Sequence, residues 1–153
     1  MENLTNMLQK KKVILTLSRL FPVAHPKAGE PTRFKENLIM GYKKHTIRQG
    51  CTNNWDKRYQ DIKDGKKYLS VREWLGRPYN SEQNEIMRFP MIGLQHIKIT
   101  PGDSNALVDG KLVPLEEVAK NDCLSTEDFL NWFSTADGSP FTGVIIHFTK
   151  LRY

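Results

Sequence analysis

Apolar residues recur along this chain at two spacings, and the changes from one spacing to the other mark its elements. Val13, Leu15 and Leu17 alternate with Ile14, Thr16 and Ser18, a period-two series rich in β-branched and aliphatic residues that predicts a buried strand. Residues 1–12 before it mix Asn, Gln and Lys with scattered Met and Leu and predict a loosely held arm or a short peripheral helix. Pro22, Pro26, Gly29 and Pro31 then preclude regular structure and predict a stiff loop. That loop carries His25 and Lys27 where a ligand could meet them.

Phe34, Leu38 and Ile39 share one helical face between a Pro31-Thr32 start and a Gly41 stop. Trp55, Tyr59 and Ile62 repeat that spacing in a helix over 53–64 that ends at Gly65. Leu69 and Val71 against Ser70 and Arg72 predict a second central strand. Ile86, Ile92, Leu94, Ile97 and Ile99, broken by Pro90 and Gly93, predict a bent strand or two strands. Asp109-Gly110 between apolar pairs is a type I′ hairpin signal, and Pro114 can open a helix through Leu115, Val118 and Ala119. Ser125 with Asp128 resembles a capping box before a helix bearing Phe129, Trp132 and Phe133, and Val144, Ile146 and Phe148 form the last strand.

Strands interspersed with short helices exclude a doubly wound sheet and imply an α+β fold, a small mixed β-barrel with short flanking helices. At 153 residues the chain suits one domain over 13–153 preceded by the arm. No apolar run approaches the roughly 20 residues a spanning helix needs. Lys10 to Lys12 followed by Val13 to Leu17 imitates a signal peptide, but Arg19 interrupts the run, so a cytoplasmic protein without a membrane partner is expected. Cys51 and Cys123 lack the spacing of a metal knuckle and are expected as reduced thiols, with no metal and no cofactor.

Charge sharpens this picture. The net charge is +6, and the whole excess falls within residues 33–88, where thirteen Lys/Arg face seven Asp/Glu. Residues 101–140 are acidic, so the molecule should be electrically lopsided, with a basic zone that attracts phosphate groups. The densest chemistry is Gly41-Tyr42-Lys43-Lys44-His45-Thr46-Ile47-Arg48, expected as a cationic strand leaving a helix. In an extended chain Lys43, His45 and Ile47 face one way and Lys44, Thr46 and Arg48 the other. Lys and Arg on an edge strand also serve merely to block edge pairing. A second stretch, residues 70–83, interleaves Arg72 and Arg77 with Trp74 and Tyr79, residue types suited to nucleobases and phosphates.

The series Gly-x-Lys-x-x-Thr-Ile-Arg over 41–48 resembles the signature of ASCH domains, a branch of the PUA-like superfamily. With His25 to Thr32 and the 70–83 stretch it resembles a longer bacterial subgroup, over most of the chain. The resemblance implies a compact β-barrel with a cleft beside the Lys43 to Arg48 strand, and RNA or a modified nucleoside or nucleotide as partner. Lys43, Lys44, His45, Arg48, Arg72 and Arg77 would then line the cleft, with Trp74 or Tyr79 stacking on a base. Small bacterial acetylcytidine amidohydrolases look similar at the central motif. Their likeness implies a second reading, deacylation of a modified nucleoside such as acetylcytidine by Lys43, Thr46 and an acid from a later helical segment. Asp122 is the nearest match for that acid, and Glu116 or Glu117 could stand in for it. Lys43 and Thr46 lie on opposite faces of a regular strand, so they meet only if the backbone bends or the lysine enters from the preceding turn. A partner-docking domain is the third reading.

Overall fold

A computed structural model describes residues 10–50 and 54–153. Most of the expected arm, Cys51 and Asn53 lie outside the described residues. The described strands form two sheets, with four short helices packed about them, so the α+β class stands. They form no closed barrel among themselves.

The first sheet has the order β1-β3-β4. Strand β1 (Lys11–Thr16) runs parallel to β3 (Lys67–Trp74), and it begins inside the segment expected as an arm because Lys11 and Lys12 pair with Lys67 and Tyr68. Its alternation is as read, with Val13 and Leu15 buried and Lys12 and Ile14 exposed. Strand β4 (Gln83–Phe89) closes antiparallel on β3, with a register shift between Val71 and Arg72.

The second sheet is antiparallel throughout, in the order β2-β8-β5-β6-β7. It comprises β2 (His45–Gln49), β5 (Gly93–Ile99), β6 (Asn105–Val108), β7 (Lys111–Pro114) and β8 (Phe141–His147). The apolar run broken at Pro90 is therefore two strands, and they belong to different sheets. Strand β8 lies between two partners, and its residues 143–147 are buried on both faces. The β6-β7 turn has Asp109 at φ 47° and Gly110 at φ 81°, the two positive values a type I′ turn requires.

Helix α1 (Phe34–Ile39) and helix α3 (Leu115–Asn121) stop in the same way. After α1, Gly41 at φ 81° donates to Leu38 O and Tyr42 donates to Asn37 O. That pair of bonds is the Schellman motif. After α3, Cys123 takes the left-handed position at φ 62°, with Cys123 donating to Lys120 O and Leu124 to Ala119 O. Helix α2 (Trp55–Lys63) buries Trp55 and Ile62. In helix α4 (Thr126–Trp132) the Ser125 hydroxyl accepts from the Asp128 N–H at 3.1 Å. No described helix is long and apolar enough to cross a membrane.

Candidate functional site

The exits of α1 and α3 are joined, and the join builds the site. Lys44 N–H donates to Asn121 O at 2.8 Å, and Lys43 N–H reaches back to Asn37 O at 3.0 Å. Lys43 is thereby held in the turn before β2, with its side chain directed inward. Its Nζ donates to the Asp122 carbonyl at 2.9 Å and to Asp122 Oδ1 at 2.8 Å, and lies 3.9 Å from the centroid of the Phe34 ring. The ammonium thus meets a carboxylate, a carbonyl at a helix C-terminus and an aromatic face, each favourable to a cation.

This pair is fully enclosed, with Lys43 1% and Asp122 3% exposed. Burial pulls the Lys43 amine below its ordinary value, against the attraction of Asp122. Burial pushes the Asp122 carboxyl up, but Lys43 and His45 outweigh it and hold the group below its ordinary value. His45 flanks Asp122 from another side. Its Nδ1 lies 3.5 Å from Asp122 Oδ1, long for a hydrogen bond, and its Nε2 lies 2.7 Å from the Tyr153 hydroxyl. That hydroxyl also accepts from Asn121 Nδ2 at 2.9 Å, and burial pushes it up to about 12.

Thr46 and Arg48, two residues apart on β2, act together. Arg48 NH1 donates to Thr46 Oγ1 at 2.8 Å and to Ile47 O, while NH2 donates to Thr16 O at 2.7 Å across to β1. Burial brings the guanidinium down to about 10, so it remains a cation at neutral pH. The Thr46 hydroxyl accepts from Arg48 and has no acceptor for its own hydrogen among the described residues.

Lys43, Thr46, Arg48 and Asp122 line one pocket, completed by apolar groups that include Phe34, Trp132 and Phe133. Its cavity volume is about 20 Å³, room for one water or one ligand oxygen. Lys43 enters from the turn, and this is how it shares a wall with Thr46 although three residues separate them. The wall is rich in hydrogen-bond donors, suited to an oxygen acceptor on a ligand.

Neither a family model, nor a curated protein, nor a solved structure matches this chain. The site therefore has to be read from its own geometry.

Several expected cleft residues lie elsewhere. Arg72 is turned toward Glu85 of β4, with NH2 3.8 Å from its Oε2, while Nε donates to Ser70 Oγ of its own strand at 2.9 Å. The carboxylate opposite it on the sheet claims the guanidinium. Arg77 is exposed in the β3-β4 turn, where its carbonyl accepts from Ser81 Oγ. Lys44 is half-buried and its Nζ donates to the Gly41 carbonyl. His45 is wholly buried behind Asp122 and meets no solvent.

Trp74 and Tyr79 lie against each other at 5.2 Å and line a different, apolar cleft with Leu20, Phe21 and Val23. Leu17 and Ser18 belong to both cavities, so the aromatic cleft adjoins the polar pocket. His25 is likewise buried, with Nε2 donating to Asp128 O at 3.0 Å, and Lys27 pairs with Asp128 at 2.7 Å. Among the described residues no group of three His, Cys, Asp or Glu side chains could hold a metal ion.

Phe34, Trp132, Phe133 and Tyr153 gave no sign of the site in the sequence beyond being apolar or aromatic. Only the fold brings the first three to the pocket of Lys43 and Tyr153 to His45.

Proposed function

We propose that the chain is an ASCH-like domain whose Lys43-Thr46-Arg48-Asp122 pocket receives a single carbonyl or phosphate oxygen of a nucleoside or nucleotide, the rest of which lies outside it. The observation that carries this reading is the convergence of those four side chains on one concave wall. Arg48 and Thr46 supply donors to a carbonyl or phosphate oxygen, and Phe34, Trp132 and Phe133 supply apolar surface for a ring. An extended RNA groove has less support, because Lys43, Arg72 and Lys44 spend their donors within the protein. The aromatic cleft at Trp74 and Tyr79 offers a second flat surface where a larger ligand can stack. A barrel closed more fully than the described pairings remains part of this proposal.

One observation favours hydrolysis as a second reading. Asp122, the acid that the family likeness assigned beside Lys43 and Thr46, holds the Lys43 amine at 2.8 Å. Once its proton has passed to Asp122, the burial-lowered amine can take the proton of Thr46 or of a water, whose oxygen then attacks an acyl carbon. The amide C–N bond breaks as that proton passes to the departing amine, freeing the nucleoside; attack by water releases the acid directly, and an acyl group left on Thr46 is released by a second water.

Calorimetric titration with nucleosides and acylated nucleosides, followed by an acetate assay, tests both readings. Binding weakened about tenfold or more by Thr46→Val and by Arg48→Lys is expected. Acetate release from acetylcytidine that is lost in Thr46→Val would establish the hydrolytic reading. Absence of binding across the panel would sink the proposal.

A further inference from the structure

Beside the polar pocket, and sharing Phe34 with it, lies a second cavity of about 310 Å³. Pro31, Thr32 and Phe34 line it with Arg19, Arg33, Lys35 and Glu36, and Glu73 of β3 joins them, 8% exposed. A carboxylate so placed normally carries hydrogen bonds or a close cation, because removing it from water is costly. Glu73 accepts no hydrogen bond from any described group, and its one close cation is Lys35 Nζ, in an ion pair at 3.6 Å whose lysine side chain is 37% exposed.

Arg33 is anomalous in its own way. Its backbone is left-handed, φ 61° and ψ 24°, at the start of α1, a conformation that costs energy for a residue with a Cβ. Its guanidinium has no partner among the described residues. The cavity thus combines a largely buried carboxylate that accepts no hydrogen bond with an exposed rim cation that has no anionic partner among the described residues.

We propose that Glu73 selects the ligand, its carboxylate accepting a hydrogen bond from the amino or ring N–H edge of a nucleobase. This inference rests on reading the adjoining pocket as a nucleoside site. The N–H of an acylated exocyclic amine is also such a donor, so the selection applies to plain and acylated bases alike. A base that presents only acceptors to Glu73 excludes water while leaving the carboxylate with Lys35 alone and no hydrogen bond, and is rejected by the asymmetry that makes an unsatisfied polar group costly. The rim cations accommodate an anionic group, such as a phosphate, on the same ligand.

The test measures affinities for pairs of nucleosides that differ in one amino group: adenosine and purine riboside, cytidine and pyrimidin-2-one riboside, guanosine and inosine. For at least one pair the donor-bearing member should bind wild type roughly tenfold or more tightly, and Glu73→Gln should reduce that ratio below about threefold. Free of ligand, Glu73→Gln should be at least as stable as wild type, since an ionised, poorly paired group has been removed. Equal affinities within every pair, or a ratio that survives Glu73→Gln, would overturn the inference while leaving the pocket intact. A Glu73→Gln protein destabilised as much as Lys35→Met would assign Glu73 to a structural ion pair and overturn it too. Selectivity that depends on Glu73 but not on Thr46 or Arg48 would support Glu73 and reject the adjoining pocket instead. No binding by any nucleoside would reject both.

Discussion

Replacing Lys43 by Met tests the central feature of the site, a dry ion pair. Methionine retains the apolar stem over Phe34 but removes the amine that donates twice to Asp122. The carboxylate, 3% exposed, is left with His45 Nδ1 at 3.5 Å. Breaking one side of a buried pair costs about 3–5 kcal/mol, against a total stability of about 5–15 kcal/mol for a domain. The variant should fold, with its urea midpoint lowered by about 1–5 M for a slope of about 1–3 kcal/mol/M.

The pH dependence adds a sign that an unspecific loss of packing would not produce. In wild type the Asp122 carboxyl is held low, so its contribution is present above the unfolded value of 3.8 and is lost as pH falls through the folded value. Without Lys43, burial should push the same group above 3.8. The folded state then binds the extra proton, and the gap between variant and wild type should narrow as pH falls from 7 toward 5. Adding Asp122→Asn should abolish that narrowing and recover part of the lost stability. Urea titrations followed by tryptophan fluorescence at pH 5 to 8 measure both. A loss below about 1 kcal/mol with an unchanged pH slope would mean the pair is solvated, and the dry-site argument would fall.

His147 should contribute acid sensitivity. Burial brings its imidazole down from 6.5 to about 3, and the nearby His45 adds to this. Because the unfolded chain takes up the proton first, stability should fall as pH drops from 6.5 toward 3, by about 2–4 kcal/mol, and His147→Gln should flatten that part of the curve in thermal melts. Gly143→Ala should be severe, since an added Cβ would meet the Arg48 carbonyl of the paired strand and the Phe141 ring. A loss of about 2–4 kcal/mol is expected, and a loss below about 1 kcal/mol would contradict the described β2-β8 pairing. Gly41→Ala meets no atom within 4 Å and should cost only the left-handed backbone strain of about 1–2 kcal/mol. Tyr153→Phe removes the hydroxyl shared by His45 and Asn121 and should cost about 1–2 kcal/mol, read by the same melts.

Local signals in the sequence were legible wherever backbone chemistry settles them. Gly41 and Gly65 end their helices, Asp109-Gly110 makes its hairpin and Ser125 caps its helix because each answers a requirement of the adjacent turn. Side-chain destinations were less legible. The alternation in β2 placed Thr46 and Arg48 on one face, as found, but Lys43 precedes the strand and escapes the period. Arg72 and Trp74 share a strand face in sequence, yet Arg72 is drawn to Glu85 across the β3-β4 bulge. Nothing short of the pairing register reveals that partner. The barrel was expected from strands interspersed with short helices and again from the family likeness, and Pro90, which lies between β4 and β5 of different sheets, did not show its effect on closure.

The two helix exits explain why so short a motif can build a site. A lysine on a regular strand would point along the sheet normal and need another element to meet it. Here the Schellman turn at Gly41 ends α1 and sets Lys43 beside Asn37 O, while the matching turn at Cys123 leaves the Asp122 carbonyl and carboxylate facing the same interior. Lys44 N–H on Asn121 O fixes the distance between the turns. The amine is therefore positioned by backbone bonds on both sides, not by side-chain packing alone. Cys123 occupies at φ 62° a position where glycine is least strained, which gives the construction a specific check. Cys123→Gly should leave the Lys43-Asp122 pair in place with stability equal to or above wild type, whereas Asn121→Pro, which removes the Asn121 N–H and forces the end of α3, should disturb both the pair and any ligand affinity together.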